Sequence, residues 1–564
     1  MSTLNDKNIE KICFYVLLGI TVLWFFFFIN KGVDVTDSAF YLVKYKYGFM
    51  ENMDVVNTGT FLTDLLGTGI YHLCDKGQVF LLNLSSWLLY MGSGFIVYHR
   101  LKKYVPRLLL LISIFGGSLF SLTWVHVMNY NATSMFMQTL AICILIKGIE
   151  QENIRYYALS GFVFALNTFF RLPNILQVCI GASIFWYFSF CKKEWKKGFY
   201  GIVSYGVGVI SGWLLGGVFA FSILGKEKIF AYFFQTANTF GDSQSNHGIK
   251  KMLTALYIYA KQGVKDWIRY GVLLVIVLVI WNLIIRKKER LSGKERILYF
   301  TLAIGLALYS FYVGWRMEFV QFPQMIGPCI LGIMFVGVFY YKNTNALLST
   351  MCAIIVCAEA VLCIGTNNSW YYQTVFLIFP LCVCIIGVYN CQNIYLKRNL
   401  VLCTVFVAAM LFAVGGKYAT SFVYRDAEMA ELKFPVSVKE YRGIQTSRER
   451  AEYLNELDEV LEDLEGQELL SFGRFNIGHV IADMPPILGR VWVDLEGYSV
   501  YTFEEELESA VEKKGYPVIL IADLEQDGQY TSKEKLDVIN KMLQEGDYTK
   551  YYENEWYYVY VPEK

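Results

Sequence analysis

Two aspartates and a tyrosine lie just after the first apolar segment of the chain and could support acid–base chemistry. They belong to the stretch Gly32-Val33-Asp34-Val35-Thr36-Asp37-Ser38-Ala39-Phe40-Tyr41. Asp34 and Asp37 are three residues apart and Tyr41 is four beyond Asp37, so on a helix they share one face. A carboxylate held against apolar walls has a raised pKa, which suits a general base. The competing interpretation is structural, because an aspartate ahead of an aromatic helix is a good N-cap.

The elements that must position these side chains are membrane spans. The chain has 564 residues, of which 55% are hydrophobic and 17% aromatic, and its mean hydropathy is +0.38. A span needs roughly 20 mostly apolar residues. The sequence predicts an α-helical polytopic membrane protein with about thirteen spans, at 11–29, 79–98, 107–124, 131–147, 157–170, 174–190, 199–221, 271–285, 297–314, 326–341, 346–364, 374–391 and 399–416.

Lysine and arginine collect in alternate loops, and this asymmetry predicts the orientation. The basic loops are 99–103, 192–197, 286–290 and 397–398. The short loops on the other side, 125–130, 171–173, 315–325 and 365–373, hold two cations, Arg171 and Arg316. We therefore expect a cytoplasmic N-terminus and an extracytoplasmic C-terminus.

Two outer loops are long, at about 30–78 and 222–270. Each contains a stretch with aromatic residues beside cations, at 40–47 and 253–269. Such stretches are typical of helices that lie in the headgroup region. They could equally form the walls of a site at the membrane surface.

The chain divides electrostatically near residue 420. Residues 426–564 carry 14 Lys and Arg against 31 Asp and Glu, a net charge of −17, although the whole chain is +1. We expect a membrane domain over 1–420 and an acidic extracytoplasmic domain over 421–564, which is long enough to fold alone. The acidic balance argues against a nucleic-acid partner.

The pattern of this acidic tail predicts a small α/β domain. The expected helices are 447–465, 503–513 and 533–544, and the expected strands are 468–472, 490–493, 517–522 and 556–561. The stretch 473–479, Gly-Arg-Phe-Asn-Ile-Gly-His, follows a strand and is either a binding loop or a strand-to-helix turn. Our hypothesis is that the domain helps to receive an acceptor.

The membrane part resembles the GT-C superfamily of polytopic glycosyltransferases. The branch concerned includes protein O-mannosyltransferases and lipid A aminoarabinose transferases. Asp37-Ser38-Ala39-Phe40-Tyr41 is similar to an Asp-Glu-x-x-Tyr-like motif after the first span, with Ser38 at the Glu position. The stretch 160–174 is similar to a tight outer turn that ends in a Thr-Lys/Arg-x-Pro-like run, and 365–369 is a looser match at another outer turn.

This resemblance implies sugar transfer from a polyprenyl-phosphate donor to a glycan, lipid or protein acceptor, at the bilayer surface. It makes Asp37 the base, with Asp34 a helper or cap and Tyr41 in support. Arg171 and Arg316 would bind the donor phosphate, since arginine pairs bidentately with phosphate. Either arginine could instead snorkel at a span end, and Glu318 could be the partner of Arg316.

Further polar residues complete the predicted site. His247 in the second long outer loop and Asn367 and Asn368 at an outer turn are expected on the acceptor side. His247 could equally be a solvated loop residue, and with Asp242 it could bind a metal. No dense zinc or EF-hand ligand pattern occurs in the sequence, so no metal residue is assigned and a divalent ion stays open.

Two other classes of protein fit the same pattern of spans. A lipid-linked glycan flippase or other transporter would show internal repeats and ionisable residues at mid-span, and neither stands out here. A non-catalytic envelope-assembly protein would have the fold without needing Asp37. The expected location is the plasma membrane, of a bacterium, while the sugar, the acceptor and the oligomeric state are left open.

Overall fold

The computed structural model describes residues 2–49, 58–121, 126–241, 249–285, 289–318, 321–362, 377–421, 423–494, 498–522 and 532–563. Helices dominate the first 421 residues. In chain order they are α1 Ser2–Phe26, α2 Asp37–Tyr47, α3 Phe61–Tyr71, α4 Gln78–Leu101, α5 Arg107–Ser121, α6 Tyr130–Gln151, α7 Ile154–Phe170, α8 Ala182–Phe185, α9 Trp195–Gly241, α10 Ile249–Asp266, α11 Val272–Ile285, α12 Gly293–Arg316, α13 Gln321–Tyr340, α14 Ala346–Leu362, α15 Ile378–Asn390 and α16 Ile394–Ser421.

Each of the thirteen predicted spans overlaps a helical segment among the described residues, and the fold class is confirmed. Within the described ranges, seven segments are long and apolar enough to cross a membrane: Gln78–Leu101, Tyr130–Gln151, Leu172–Cys191, Trp195–Phe230, Ala260–Ile284, Gly293–Arg316 and Ile394–Tyr418. The predicted span 174–190 is a 3-10 helix, the short α8 and a π-helix in succession. The predicted loop 222–270 is itself largely helical, since α9 runs on past a break at Gly225 and α10 follows.

The tail is a small α/β domain, as predicted. It contains α17 Arg448–Leu461, α18 Ile477–Ile481, α19 Val500–Lys514 and α20 Lys533–Glu545, with β1 Phe434–Pro435, β2 Gln445–Thr446, β3 Leu469–Phe472, β4 Val518–Ala522, β5 Tyr548–Glu553 and β6 Tyr557–Pro562. The larger sheet has the order β3-β4-β6-β5, in which β3 and β4 are parallel and the other pairs antiparallel.

The predicted strand 490–493 is wrong. That segment is irregular, although Val491 and Val493 are buried as their spacing suggested. The place beside β3 is taken by the chain around Pro486, which bridges Leu469. The carbonyl of Val493 accepts a hydrogen bond from Lys535 instead of from a strand, at 2.8 Å. The spacing of Val491 and Val493 therefore reflects side-chain burial in an irregular segment, without the backbone hydrogen bonds of a strand.

The tail shares one hydrophobic core with the first outer loop. Val35, Leu42 and Tyr45 of that loop belong to the same buried cluster as Leu454 and Phe475 of the tail. The sequence suggested an acidic domain able to fold alone, and the boundary at 420 stays a prediction. The structure shows that α2 fills part of the interior of that domain.

Helix α2 is packed inside the protein and is not an exposed interfacial helix. Most of its residues are buried: Ser38, Ala39, Tyr41, Leu42, Val43, Lys44, Tyr45, Lys46 and Tyr47. Lys46 points into the tail, where its ammonium contacts Glu440 at 3.1 Å, pairs with Asp483, and donates to the carbonyl of Val480 at 2.7 Å. The aromatic and cationic pattern of 40–47 thus reflects burial in protein.

Replacing Lys46 tests how strongly the tail depends on this helix. Lys46→Met removes the nearer cation of the Glu440 carboxylate, which is 1% exposed, and leaves it the Lys439 ammonium at 4.0 Å. Breaking a buried ion pair from one side costs about 3–5 kcal/mol, so the thermal midpoint in detergent should fall clearly. The control is Lys541→Met, which removes an exposed pair with Glu504 and should leave the midpoint unchanged. Equal midpoints for both variants would contradict the proposed role of Lys46.

Candidate active site

Asp34 caps the start of α2. Its two carboxylate oxygens accept hydrogen bonds from the backbone N–H groups of Thr36, Asp37 and Ser38, at 3.0, 3.2 and 2.7 Å. The side chain is buried, and burial followed by the negative charge of Asp37 raises the pKa of Asp34 to about 6. The geometry favours the cap over the helper among the two roles considered for this residue.

Asp37 occupies the first position of α2, where the helix dipole favours a negative charge. Its side chain is 20% exposed, so it is the accessible member of the aspartate pair. Tyr424 donates a hydrogen bond to Oδ2 at 2.5 Å, and a guanidinium nitrogen of Arg425 lies 3.4 Å from the same oxygen. A carboxylate, a phenol and a guanidinium therefore meet just beyond the C-terminal end of the first predicted span.

Tyr41 links this group to Arg171. The rings of Tyr41 and Tyr130 have centroids 5.9 Å apart, and the guanidinium of Arg171 lies 5.2 Å from the Tyr130 centroid. Burial, with the nearby Tyr130 and Asp37, raises the pKa of Tyr41 well above its ordinary value, so its hydroxyl stays protonated. The structure thus connects three of the sequence-predicted residues, Asp37, Tyr41 and Arg171, through one aromatic pair.

Arg171 sits on a turn that is built to be rigid. It follows α7, and the side chains behind it form a buried amide network. Asn167 donates to Gln177 at 3.0 Å, Gln177 donates to Asn174 at 3.0 Å, and Asn174 donates to Ser134 at 2.8 Å. Buried side-chain networks of this kind restrict the positions of their members. The turn that resembles the GT-C pattern therefore holds its arginine at a defined place.

Helix α3 ties this turn to α2. Thr63 donates to the carbonyl of Phe170 at 3.0 Å, one residue before the arginine. On the same helix, Asp64 forms a buried ion pair with Lys44 of α2 at 2.6 Å, and Thr60 hydrogen bonds to both members, at 2.9 and 2.8 Å. The first outer loop thus connects the helix that carries Asp37 to the turn that carries Arg171.

The other predicted residues are placed differently. Arg316 is exposed at the end of α12, and its guanidinium lies over Tyr312 of the same helix at 5.8 Å. Among the described residues it forms no ion pair with Glu318. His247, Asn367 and Asn368 lie outside the described residues, and so does Asp242. The stretch 473–479 is the strand-to-helix turn, and its Asn476 donates to the carbonyl of Thr36 at 3.3 Å.

Sequence reasoning missed Tyr130, Tyr424 and Arg425. Arg425 lies just beyond the last predicted span, whereas the two arginines selected from the sequence, Arg171 and Arg316, lie in short loops between spans. Tyr130 closes one of those loops. In the part of the chain that the structure describes, no group of three or more His, Cys, Asp or Glu could hold a metal ion.

No protein-family profile matches the sequence, and no curated protein matches it. The chain is similar to the solved oligosaccharyltransferase of Archaeoglobus fulgidus in complex with Zn and sulfate, at 12% identity and a TM-score of 0.48, over 97% of this chain and 73% of that one. It is also similar to ArnT from Cupriavidus metallidurans bound to undecaprenyl phosphate, at 9% identity and a TM-score of 0.40, over 97% of each chain. Both proteins are GT-C superfamily members.

The raised pKa of Asp34 predicts a pH dependence of stability. The folded chain binds this proton more tightly than the unfolded chain, so stability should rise as the pH falls from 7 through about 6. The rise should end near the model-peptide pKa of about 3.9. Asp34→Asn keeps an acceptor for the cap and removes the titration, so its thermal midpoint in detergent should gain less than that of the wild type between pH 7 and 5. A parallel gain in both proteins would contradict the assignment.

Proposed function

We propose that the chain is a membrane glycosyltransferase that moves a sugar from a polyprenyl-phosphate donor to an extracytoplasmic acceptor, with Asp37 as the general base. The observation that carries the proposal is the group around α2. An accessible carboxylate lies at its first residue, and a buried arginine, Arg171, is reached one helical turn later through Tyr41 and Tyr130.

Asp37 and Arg171 act on different groups in the same reaction, the attacking hydroxyl and the leaving phosphate. The hydroxyl oxygen of the acceptor attacks the anomeric carbon, and the bond from that carbon to the phosphate oxygen breaks with its electron pair on the phosphate. Asp37 takes the hydroxyl proton, which typically contributes 10²–10⁴ in rate. Polyprenyl phosphate leaves with one more negative charge, which the guanidinium of Arg171 stabilises.

The surroundings suit each partner. The Asp37 end is partly exposed and faces the outer region, which gives a soluble or polymeric acceptor access. Arg171 stays 7% exposed at the end of α7, between two predicted spans, at the depth expected of a lipid phosphate. Glycan, lipid and protein all remain open as acceptors, and a divalent ion stays open as a helper.

A transfer assay with Asp37→Asn tests the proposal. Membranes containing the full chain are supplied with a polyprenyl-phosphate sugar, and both polyprenyl phosphate release and sugar transfer are measured. Asn keeps the shape and loses the base, so the rate should fall by about 10²–10⁴. Asp75→Asn, an exposed carboxylate in the same outer loop, is the matched control and should transfer normally.

Three results would overturn the proposal. Unchanged release and transfer in Asp37→Asn would remove Asp37 as the base. A wild type that transfers from no such donor but moves the lipid across vesicles would establish a flippase. A wild type that does neither would be an assembly protein.

A further inference from the structure

Arg425 is a cation at the candidate active site that the mechanism above leaves without a task. It lies four residues beyond α16, and its guanidinium is 3.4 Å from Oδ2 of Asp37, with 25% of the side chain exposed. The nitrogen that makes this approach is itself buried, and within the described residues it makes no hydrogen bond. Arg425 and Asp37 therefore form an ion pair in which this nitrogen donates no hydrogen bond.

The backbone of Arg425 is fixed more firmly than its side chain. Its φ of +53° lies in the left-handed region, which a residue with a Cβ rarely adopts. Its carbonyl accepts a hydrogen bond from Arg450, which also donates to the carbonyl of Val33 at 2.7 Å. Backbone strain of this kind persists where the surrounding structure enforces it and is concentrated at functional sites.

Two acids compete for this one guanidinium. Asp37 is already satisfied at Oδ2 by the hydroxyl of Tyr424. Asp34 is close enough that the positive charge of Arg425 opposes the rise in its pKa. At rest, Asp37 is therefore occupied by two partners, since Tyr424 donates a hydrogen bond to Oδ2 and the guanidinium of Arg425 lies 3.4 Å from the same oxygen.

A phosphate is a better partner for the free donor groups of Arg425. A guanidinium offers five N–H groups in a planar fork that matches the oxygens of a phosphate. A phosphate that enters at the exposed edge would bring a second anion to the guanidinium and accept hydrogen bonds from its exposed part, which is a quarter of the side chain. The exchange would withdraw the cation from Asp37.

We propose that Arg425 exchanges Asp37 for the phosphate of the lipid-linked donor, so that donor binding frees the Asp37 carboxylate from the guanidinium. This inference rests on the proposed function, and it adds an order to it: the lipid phosphate binds before Asp37 meets the acceptor hydroxyl. Arg425 then supplements Arg171 on the leaving phosphate, a task that the sequence had given to Arg316.

Binding of undecaprenyl phosphate to the full chain in nanodiscs tests the exchange without any sugar transfer. Arg425→Gln should weaken binding by about tenfold or more, as expected for lost charge-assisted bonds. Arg425→Lys, which keeps the charge without the fork, should bind with intermediate affinity. Asp37→Asn should bind more tightly than the wild type, because its arginine is already released.

The double variant separates exchange from simple repulsion between Asp37 and the phosphate. If Arg425 is the exchanging group, Asp37→Asn tightens binding in the wild type and has no effect in an Arg425→Gln background. Repulsion alone would tighten binding in both backgrounds. The control is Arg448→Gln, which removes an exposed surface cation paired with Glu452 and should leave the affinity unchanged.

The outcomes distinguish failure of the proposed function from failure of the exchange at Arg425. A folded wild type that does not bind undecaprenyl phosphate overturns the proposed function itself. Binding that is unaffected by Arg425→Gln, or equally tightened by Asp37→Asn in both backgrounds, overturns the exchange alone. If thermal unfolding shows that Arg425→Gln is unfolded, the comparison of Arg425→Lys and Asp37→Asn with the wild type decides: affinity equal to that of the wild type in both rejects the exchange.

Discussion

The burial of two lysines in α2 is the constraint on which the outer region depends. Lys44 and Lys46 are taken out of water on different sides of one short helix, and a buried ammonium needs a carboxylate close by. Asp64 supplies it for Lys44 from α3, while Glu440 and Asp483 supply it for Lys46 from the tail. One eleven-residue helix thereby fixes the first outer loop and the acidic domain to each other.

With α2 fixed in this way, its first residue can be left partly open without losing its position. Asp34 satisfies the N–H groups of the first turn, so the Asp37 carboxylate is left to other partners. Those partners, Tyr424 and Arg425, come from the chain just beyond α16. Arg171 comes from the turn after α7 and lies over the ring of Tyr130. The candidate site therefore draws on segments hundreds of residues apart, each held by its own buried polar network.

The sequence allowed good prediction of the elements that depend on local pattern. Spans, the tail helices and the strands at 469–472 and 518–522 follow from apolar runs and period. The choice of Asp37, Tyr41 and Arg171 as site residues rests on spacing, position and the family resemblance, and it stays a prediction. The strand at 490–493 failed because burial in an irregular segment produces the same alternation. The contacts of Arg425 and Tyr130 with α2 could not be predicted from sequence. They join residues far apart in the chain, and such contacts produce no periodic pattern in the local sequence.

The closing of the tail onto the loop after α1 has a consequence for biosynthesis. Gly32 and Gln445 hydrogen bond through their backbones at 2.8 Å, and Asp426 binds the backbone of Val33 at 2.6 Å. The residue at position 37 leaves the ribosome almost four hundred residues before the groups that hold it. The candidate site is therefore assembled only when the chain beyond the last predicted span has been synthesised and has folded back onto α2, so a partly synthesised chain carries no finished site.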